Sequence, residues 1–483
     1  MKRVLLFLLL CLFVVGIKAQ TQNYDFTADY NGVTIYLKIT DAAKHYVEFV
    51  SDNPSYGTPD YQHLTTIPAR VTNVATGIEY EVKSLGNNAL LRNDADDLYI
   101  SEGIEYMGSH PSIGRYKIVL LFANNKRLHL PTTLKHLYMQ EYFGEKIIGL
   151  ENTQIEVIDD ETFSQNINLK QDWVFPKTLK KIGNKALMYD VSGADIDITF
   201  PASLNEININ PWYNSPKYKT ATFLNPIPAT ITRPSYGTSS MADLLGTEVQ
   251  TVTVPIDATN AYETNTDWSY YAGKYREEIP VGSTGYRTFY LQNENFVVPT
   301  GCTAYVITGT TPSGNIANPD QANVVAYAAG KIIPKQTGFI LKGTPSSTIV
   351  YRANETGTEE TISTNMLVGT ATEQEFSGTG YKYYVLANGD QGLGFYKQGS
   401  RNGASMKIGA HQAGLRLPES IARGAKSFIV DFDGAREATE VAGISTVAPN
   451  AKPNADVIYD LQGRRVVNPT HGIYIINGKK VIK

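Results

Sequence analysis

Four stretches in the first half of the chain share one pattern: LYISEGIEYMG (98–108), LHLPTTLKHLYM (128–139), WVFPKTLKKIG (173–183) and ITFPASLNEIN (198–208). Each reads as a short strand, a Ser or Pro turn, an apolar residue three positions on, and a further apolar residue. The turn falls at Ser101, Pro131, Pro176 and Pro201, giving spacings of 30, 45 and 25 residues. Irregular periods of this order belong to stacked repeats. A unit this short cannot bury its apolar side alone, so its neighbours must cover it, and stability becomes roughly a sum of nearest-neighbour interfaces. The intervening segments echo one another as well. VKSLGNNALL (82–91), IEVIDDETFS (155–164) and LKKIGNKALM (179–188) place Leu90, Phe163 and Leu187 after a polar turn, where they are expected to point inward.

IPARVTNVATGIEYEVKSLGNNAL (67–90), followed by FPKTLKKIGNKAL (175–187), resembles the BspA-type leucine-rich repeat. The order of parts is similar too. YDFTADYNGVTIYLKIT with VEFVSDN looks like that family's β-stranded cap. FLNPIPATI (223–231) with VTVPIDATNAYETNTDWSYYAGKYREE (252–278) looks like its closing unit. The resemblance covers about residues 24–279 and roughly four to six repeats. It implies a secreted protein, or one attached to the outer cell surface of a Gram-negative bacterium, that binds proteins or cell surfaces rather than catalysing a reaction. The physical rationale is independent of the resemblance: stacked short strands form an extended concave sheet suited to large ligands.

From STGYRTFYLQNENFVVPTGCTAYVITG (283–309) onward the texture changes to short alternating strands separated by Gly, Asn-Gly and Pro turns, the pattern of an all-β sandwich or barrel. Tyr, at 31 residues, outnumbers Phe at 17 and Trp at 3, and long helical periodicity is missing, which fits β-rich structure. EATEVAGISTVAPNAKPNAD (437–456) is small, polar and Pro-containing, and reads as a linker.

The ends suggest where the protein goes. MKRVLLFLLLCLFVVGIKAQ has two cations before a short apolar run, a secretory signal with cleavage expected after Ala19. The run is shorter than the roughly 20 apolar residues that a membrane span needs. Removing this leader leaves 40 Lys+Arg against 47 Asp+Glu, a net charge of −7 that argues against nucleic acid as a partner. The last 27 residues, VIYDLQGRRVVNPTHGIYIINGKKVIK, read as four short strands near 457–460, 464–467, 472–476 and 479–482, the last two joined by an Asn477-Gly478 hairpin. They resemble the C-terminal sorting domain of the type IX secretion route, matched at Tyr459, Asp460, Gly463, Arg464, Val466, Gly472, Ile473, Tyr474 and Lys479. A small β unit packed on its neighbour is the alternative.

The expected fold is therefore mainly β. A leader (1–19) and an N-terminal β cap (20–80) precede an irregular leucine-rich-repeat solenoid (81–280). An all-β sandwich-like domain (283–435), a linker (436–456) and a small C-terminal β motif (457–483) follow.

Little in the chain carries catalytic chemistry. The zinc-protease pair, the serine-hydrolase elbow and the phosphate loop are all missing. His129 and His136 flank a proline turn and are not expected to share a metal. Asp94, Asp96 and Asp97, and Asp159, Asp160 and Glu161, are acidic clusters that read as solvated turns, with calcium as the alternative. Asp431 and Asp433 alternate as on one strand face, a spacing that paired glycosidase carboxylates also use. Cys302, the only thiol left after processing, reads as a buried structural residue in a strand. No catalytic residue, metal or cofactor is assigned. The aromatic groups are the stronger candidates. Trp212, Tyr213 and Tyr218 are candidate ligand-binding residues, with core closure as the alternative. Trp268, Tyr270, Tyr271 and Tyr275 form a second aromatic group with the same two readings, and Trp268 reads as the cap of the repeat core. The expected function is non-enzymatic binding or adhesion by the solenoid's concave face to an extracellular or cell-surface protein. Glycan binding by the β domain is the alternative, and a polysaccharide hydrolase is the third reading.

Overall fold

The structure, a computed structural model, describes residues 23–51, 61, 64–86, 89, 93, 95–108, 118–120, 127–142, 144–163, 171–186, 196–209, 218–233, 240–315 and 317–437, together with 458–459, 465–466, 473–476 and 479–482. The expected signal peptide, Trp212, Tyr213, Asp94, Leu90, Leu187 and most of the expected linker lie outside these residues. The chain is mainly β and divides into two compact units, one through Asp431 and one from Phe432 onward.

The first unit opens with three antiparallel strands, Phe26–Tyr30, Val33–Asp41 and Tyr46–Val50. Pairing then turns parallel: Tyr46–Val50 lies beside Ile78–Leu85, which lies beside Tyr106–Met107, then His136–Leu137. Val157–Ile158, Lys181–Ile182, Glu206–Asn208 and Thr230–Thr232 form a further parallel ladder. Each unit also supplies a strand to a second set of parallel ladders. One runs through Thr66–Ile67, Asp97–Ile100, Arg127–His129 and Lys146–Ile148. The other runs through Trp173–Val174, Ile196–Phe200, Tyr218–Phe223, Thr251–Thr253 and Tyr275–Pro280. This is a repeat-type β fold, and its core lies between the two sets.

Strand, turn and apolar residue recur as the sequence pattern requires. The backbone N–H groups of Ile104, Leu134, Leu179 and Leu204 donate to the carbonyls of Ser101, Pro131, Pro176 and Pro201 at 3.0–3.4 Å. All four donors belong to residues that are almost completely buried. The 45-residue spacing conceals another unit: strand Lys146–Ile148, a turn at Leu150–Asn152, and buried Ile155. That unit turns on Gly149 rather than proline, with φ +88°, a conformation that costs glycine little. The Phe before the Pro repeats inside the core. Trp173, Phe175, Phe200 and Phe223 form a ring column with successive centroids 5.8, 5.5 and 4.6 Å apart and near-parallel planes. Trp268 closes it edge-on at 4.7 Å from Phe223, fully buried, and its Nε1 donates to the Ala229 carbonyl at 2.7 Å. The capping expectation for Trp268 agrees with this geometry. Phe163 is buried as expected.

Past the cap, Tyr275–Pro280 pairs antiparallel with Thr348–Tyr351, so the last sheet of the repeats continues into the β region. That region forms a large, mostly antiparallel sheet that includes Tyr286–Phe289, Phe339–Lys342, Thr303–Thr311, Asp320–Tyr327 and Ser427–Val430. Two expectations differ here. Strand Ser427–Val430 ends before Asp431, and Asp433 lies in the following turn, so the pair does not alternate along one strand. Cys302 precedes strand Thr303–Thr311 in a turn closed by its N–H to the Pro299 carbonyl at 3.0 Å. It is half-buried rather than buried, and desolvation pushes its thiol pKa up.

In the second unit, Ile458–Tyr459 pairs antiparallel with Arg465–Val466 and with Ile473–Ile476, which pairs with Lys479–Ile482. Ile476 stands opposite Lys479, the register of a two-residue hairpin. The hairpin residues 477 and 478, and Asp460, Gly463, Arg464 and Gly472 of the expected sorting motif, lie outside the described residues.

Close rung-to-rung approach makes one glycine sensitive. A Cβ at Gly183 would meet the backbone of Asp160 in the preceding unit at 2.5 Å. Gly183→Ala is expected to destabilise the fold by about 1–3 kcal/mol, as overpacking of a tight site does, read as a lower urea midpoint.

Candidate functional site

Register decides which side chains of the second ladder set meet solvent. Leu98, Leu128 and Ile147 stand side by side and are buried. Because successive residues of a strand alternate faces, the rows on either side point outward. One outer row is Asp97, Arg127, Lys146; the other is Tyr99, His129, Ile148. Tyr99 is 47% exposed and Ile148 39% exposed. The His129 ring stacks on Tyr99 with centroids 4.0 Å apart and planes 16° from parallel. Its Nε2 lies 2.8 Å from Asp97 Oδ1. Arg127 grips Asp97 bidentately, Nε to Oδ1 at 2.7 Å and Nη2 to Oδ2 at 2.5 Å. Arg127 first, then His129, hold the Asp97 carboxyl down to about 2.

The next ladder carries the surface on. The Ile147 N–H donates to Gln171 Oε1 at 2.7 Å, two residues before strand Trp173–Val174. There Val174 is 46% exposed, and Thr199, Thr222 and Thr253 follow it in register. The result is an outward aromatic and aliphatic row beside neutralised charge on one ladder, and an exposed Val174 with a row of threonines on the next. Large apolar groups gathered on an exposed face mark interaction surfaces, and aromatic side chains supply much of the energy at protein interfaces.

The other candidates sit elsewhere. Tyr218 begins strand Tyr218–Phe223 at 2% exposure, its ring in the core. His129 serves Asp97, while His136 pairs with Asp159, a different carboxylate on a different ladder. The second acidic cluster is taken up by its neighbours. Asp160 accepts the Asn184 N–H at 2.7 Å and Glu161 pairs with Lys185. Among the described residues, no group of three or more His, Cys, Asp or Glu side chains could hold a metal.

One pair of carboxyls resembles acid–base machinery and is structural. Glu277 is fully buried where the repeats meet the β region. Its Oε1 accepts from the N–H groups of Ala258 and Thr259 and from the Thr259 hydroxyl, and its Oε2 accepts from Asp257 N–H and the Tyr351 hydroxyl. Glu294, 1% exposed, accepts the Asn260 N–H at 2.7 Å on Oε2. Its other oxygen finds no N–H or O–H donor and lies against Glu277. Burial, and then the contact with Glu277, push the Glu294 carboxyl far above the ordinary carboxylate range, which favours its protonated form beside Glu277. With both carboxyls sealed from solvent and Glu277 saturated with donors, a substrate has no access to them.

Among the described residues no helix is long and apolar enough to cross a membrane. The ladders define a repeat-type β protein with an exposed ladder face that carries Tyr99, Ile148 and Val174. Solved structures to which the chain shows partial similarity include a leucine-rich repeat protein from Bacteroides ovatus. The two chains are 18% identical over 48% of this chain and 73% of that one, with a TM-score of 0.18. The pneumococcal vaccine antigen PcpA is a second, at 12% identity over 48% and 82%, with a TM-score of 0.21. No family model and no curated protein matches the chain.

The protonated Glu294 makes stability pH-dependent. Its folded pKa lies above the unfolded carboxyl value of about 4.3. The stability that it contributes is therefore complete below that value and is lost as pH rises toward the folded pKa. The urea midpoint is expected to fall between pH 6 and 9. Glu294→Gln, which keeps an acceptor for Asn260 and a donor for Glu277, is expected to flatten that fall.

Proposed function

We propose that this chain is a secreted or cell-surface binding protein, without catalytic activity, that recognises an extracellular protein partner. It would be an irregular leucine-rich-repeat solenoid with a β-stranded cap, followed by a sandwich-like β domain. The recognition surface is the solenoid's exposed ladder face. The observation that carries this reading is the outward row Tyr99, His129, Ile148, together with Val174 on the next ladder. Its neighbouring charges are already paired, so the apolar groups are what gains most by being covered. Desolvated aromatic and aliphatic anchors ringed by polar groups are the usual energetic centre of an interface. A glycan-binding role for the β domain is the second reading, favoured by a cavity of about 420 Å³ in that domain.

The test is adhesion of the mature chain to immobilised fibronectin, fibrinogen, laminin and collagen and to whole host cells. Tyr99→Ala combined with Ile148→Asp, both at exposed positions, is expected to lower binding at least about tenfold, the loss of a typical hot spot, with the melting temperature unchanged. Binding that survives this double change would place the contact elsewhere, and absence of binding to every surface would count against adhesion.

The C-terminal unit is proposed to be a sorting signal of the type IX kind, for which the four antiparallel strands at 458–482 are the support. Removing residues 457–483 is expected to trap the protein inside the cell envelope, followed by fractionation and immunoblotting. Unchanged surface or medium levels would sink the sorting role.

A further inference from the structure

A cavity of about 420 Å³ opens in the β domain between strands Tyr286–Phe289, Tyr381–Gly389, Ser405–Ile408 and Gln412–Pro418. Small-molecule sites occupy about 300–1,000 Å³. Two cations line it, Arg287 and Lys407, and none of the lining residues is acidic. Lys407 is already engaged by Glu373 at 2.6 Å. Arg287 is not: no ion pair to it is found among the described residues. Its Nη1 donates to the Pro280 carbonyl at 2.6 Å, and its guanidinium carbon lies 5.8 Å from the centre of the Phe289 ring. Its Nε is buried and has no partner. Desolvation pulls its pKa down, the mark of a cation held without a compensating anion.

The rest of the wall suits a polyhydroxylated ligand. Gln398 is fixed in place, its Nε2 donating to the Lys407 carbonyl at 3.0 Å and its Oε1 accepting the Lys407 N–H at 2.8 Å. Gln412 accepts the Gly409 N–H on Oε1 at 3.1 Å, so its amide nitrogen is the donor it presents. Asn388 stands exposed at the rim. A guanidinium matches carboxylate or sulfate through paired N–H donors, and amide side chains serve hydroxyls in either direction.

We propose that this cavity binds an anionic saccharide unit, with its carboxylate or sulfate on Arg287 and its hydroxyls on Asn388 and Gln412. The inference gives the β-domain reading a ligand class. It rests on the cavity alone and not on the ladder face, so adhesion through Tyr99 and Ile148 can fail without affecting it.

Isothermal titration of the mature chain tests it, with a galacturonic acid trimer, a sulfated galactose trimer and a neutral galactose trimer. Binding of either acidic trimer but not the neutral one is expected, and the two acidic arms identify the anion. Arg287→Gln is expected to weaken binding about tenfold or more, the scale of one charged hydrogen bond. Asn388→Trp, at an exposed position, is expected to block the cavity and abolish binding with the melting temperature unchanged; it carries the test if the Arg287 variant does not fold. No heat with either acidic trimer up to about 5 mM, equal binding of the neutral trimer, or binding that survives Asn388→Trp would overturn the proposal.

Discussion

The first half of the molecule depends on donors that one unit supplies to the buried carbonyls of the one before it. The carbonyl of the apolar turn residue is sealed from water, and an unmet buried acceptor costs about 1–3 kcal/mol. The next unit answers it with a hydroxyl just before its own apolar residue. Thr133 donates to the Ile104 carbonyl at 2.9 Å, Thr178 to Ile155 at 2.7 Å, and Ser203 to Leu179 at 2.5 Å. No unit is therefore complete alone, and a slip in register would strand both a carbonyl and a buried Leu. The same lock sets the outer rows, because the residue that faces solvent is fixed once its neighbour is buried. Exposed ion pairs between units, such as Lys135 with Glu105 and Lys180 with Glu156, follow this register and add little stability of their own.

A stack built this way has an end problem. Its final unit has carbonyls with no successor and a sheet edge open to pairing with other chains. Trp268 and Tyr262 meet the first need by donating to the carbonyls of Ala229 and Asn225. The antiparallel strand Thr348–Tyr351 meets the second by covering Tyr275–Pro280. Glu277 ties the two solutions together, since it gathers the amides at the start of helix Thr259–Thr264 and the hydroxyl of Tyr351 from the covering strand. The β region is thus part of how the repeats terminate.

The repeat was legible because each unit buries the same residue at the same offset from a proline. The concealed unit at Lys146–Ile155 was not, because Gly149 makes its turn with a different backbone conformation, and no motif written around proline finds it. The role of Trp268 could be read from its place after the last repeat. The exposed row was harder. Asp97-Leu98-Tyr99, Arg127-Leu128-His129 and Lys146-Ile147-Ile148 share a polar-apolar-large pattern, but the stacking of His129 on Tyr99 appears only once the strands are set in register. Aromatic content alone pointed instead to the segment around Tyr218, whose ring is in the core because position 218 falls on the inward side of its strand. Glu294 and Arg287 were invisible for a simpler reason: Glu294 is set apart by Glu277 and Asn260, which the fold brings to it, and Arg287 by the lack of an acidic partner among the described residues, and neither is written in the local sequence.

The two candidate surfaces differ in their electrostatics, and that difference separates the two proposed roles. On the ladder face Asp97 is matched by Arg127 and His129, so little net charge is left to steer a partner, and association gains chiefly from covering Tyr99, Ile148 and Val174. Such contacts respond weakly to salt. In the cavity Arg287 keeps its charge without an acidic partner among the described residues, inside a chain whose formal net charge of −4 repels acidic ligands at a distance. With a screening length of about 8 Å at physiological ionic strength, that repulsion fades near the surface while the half-buried guanidinium acts at contact range, where screening is weak. An acidic sugar held there would respond to substitution of Arg287 far more than to salt. A protein held on the ladder face would be indifferent to both.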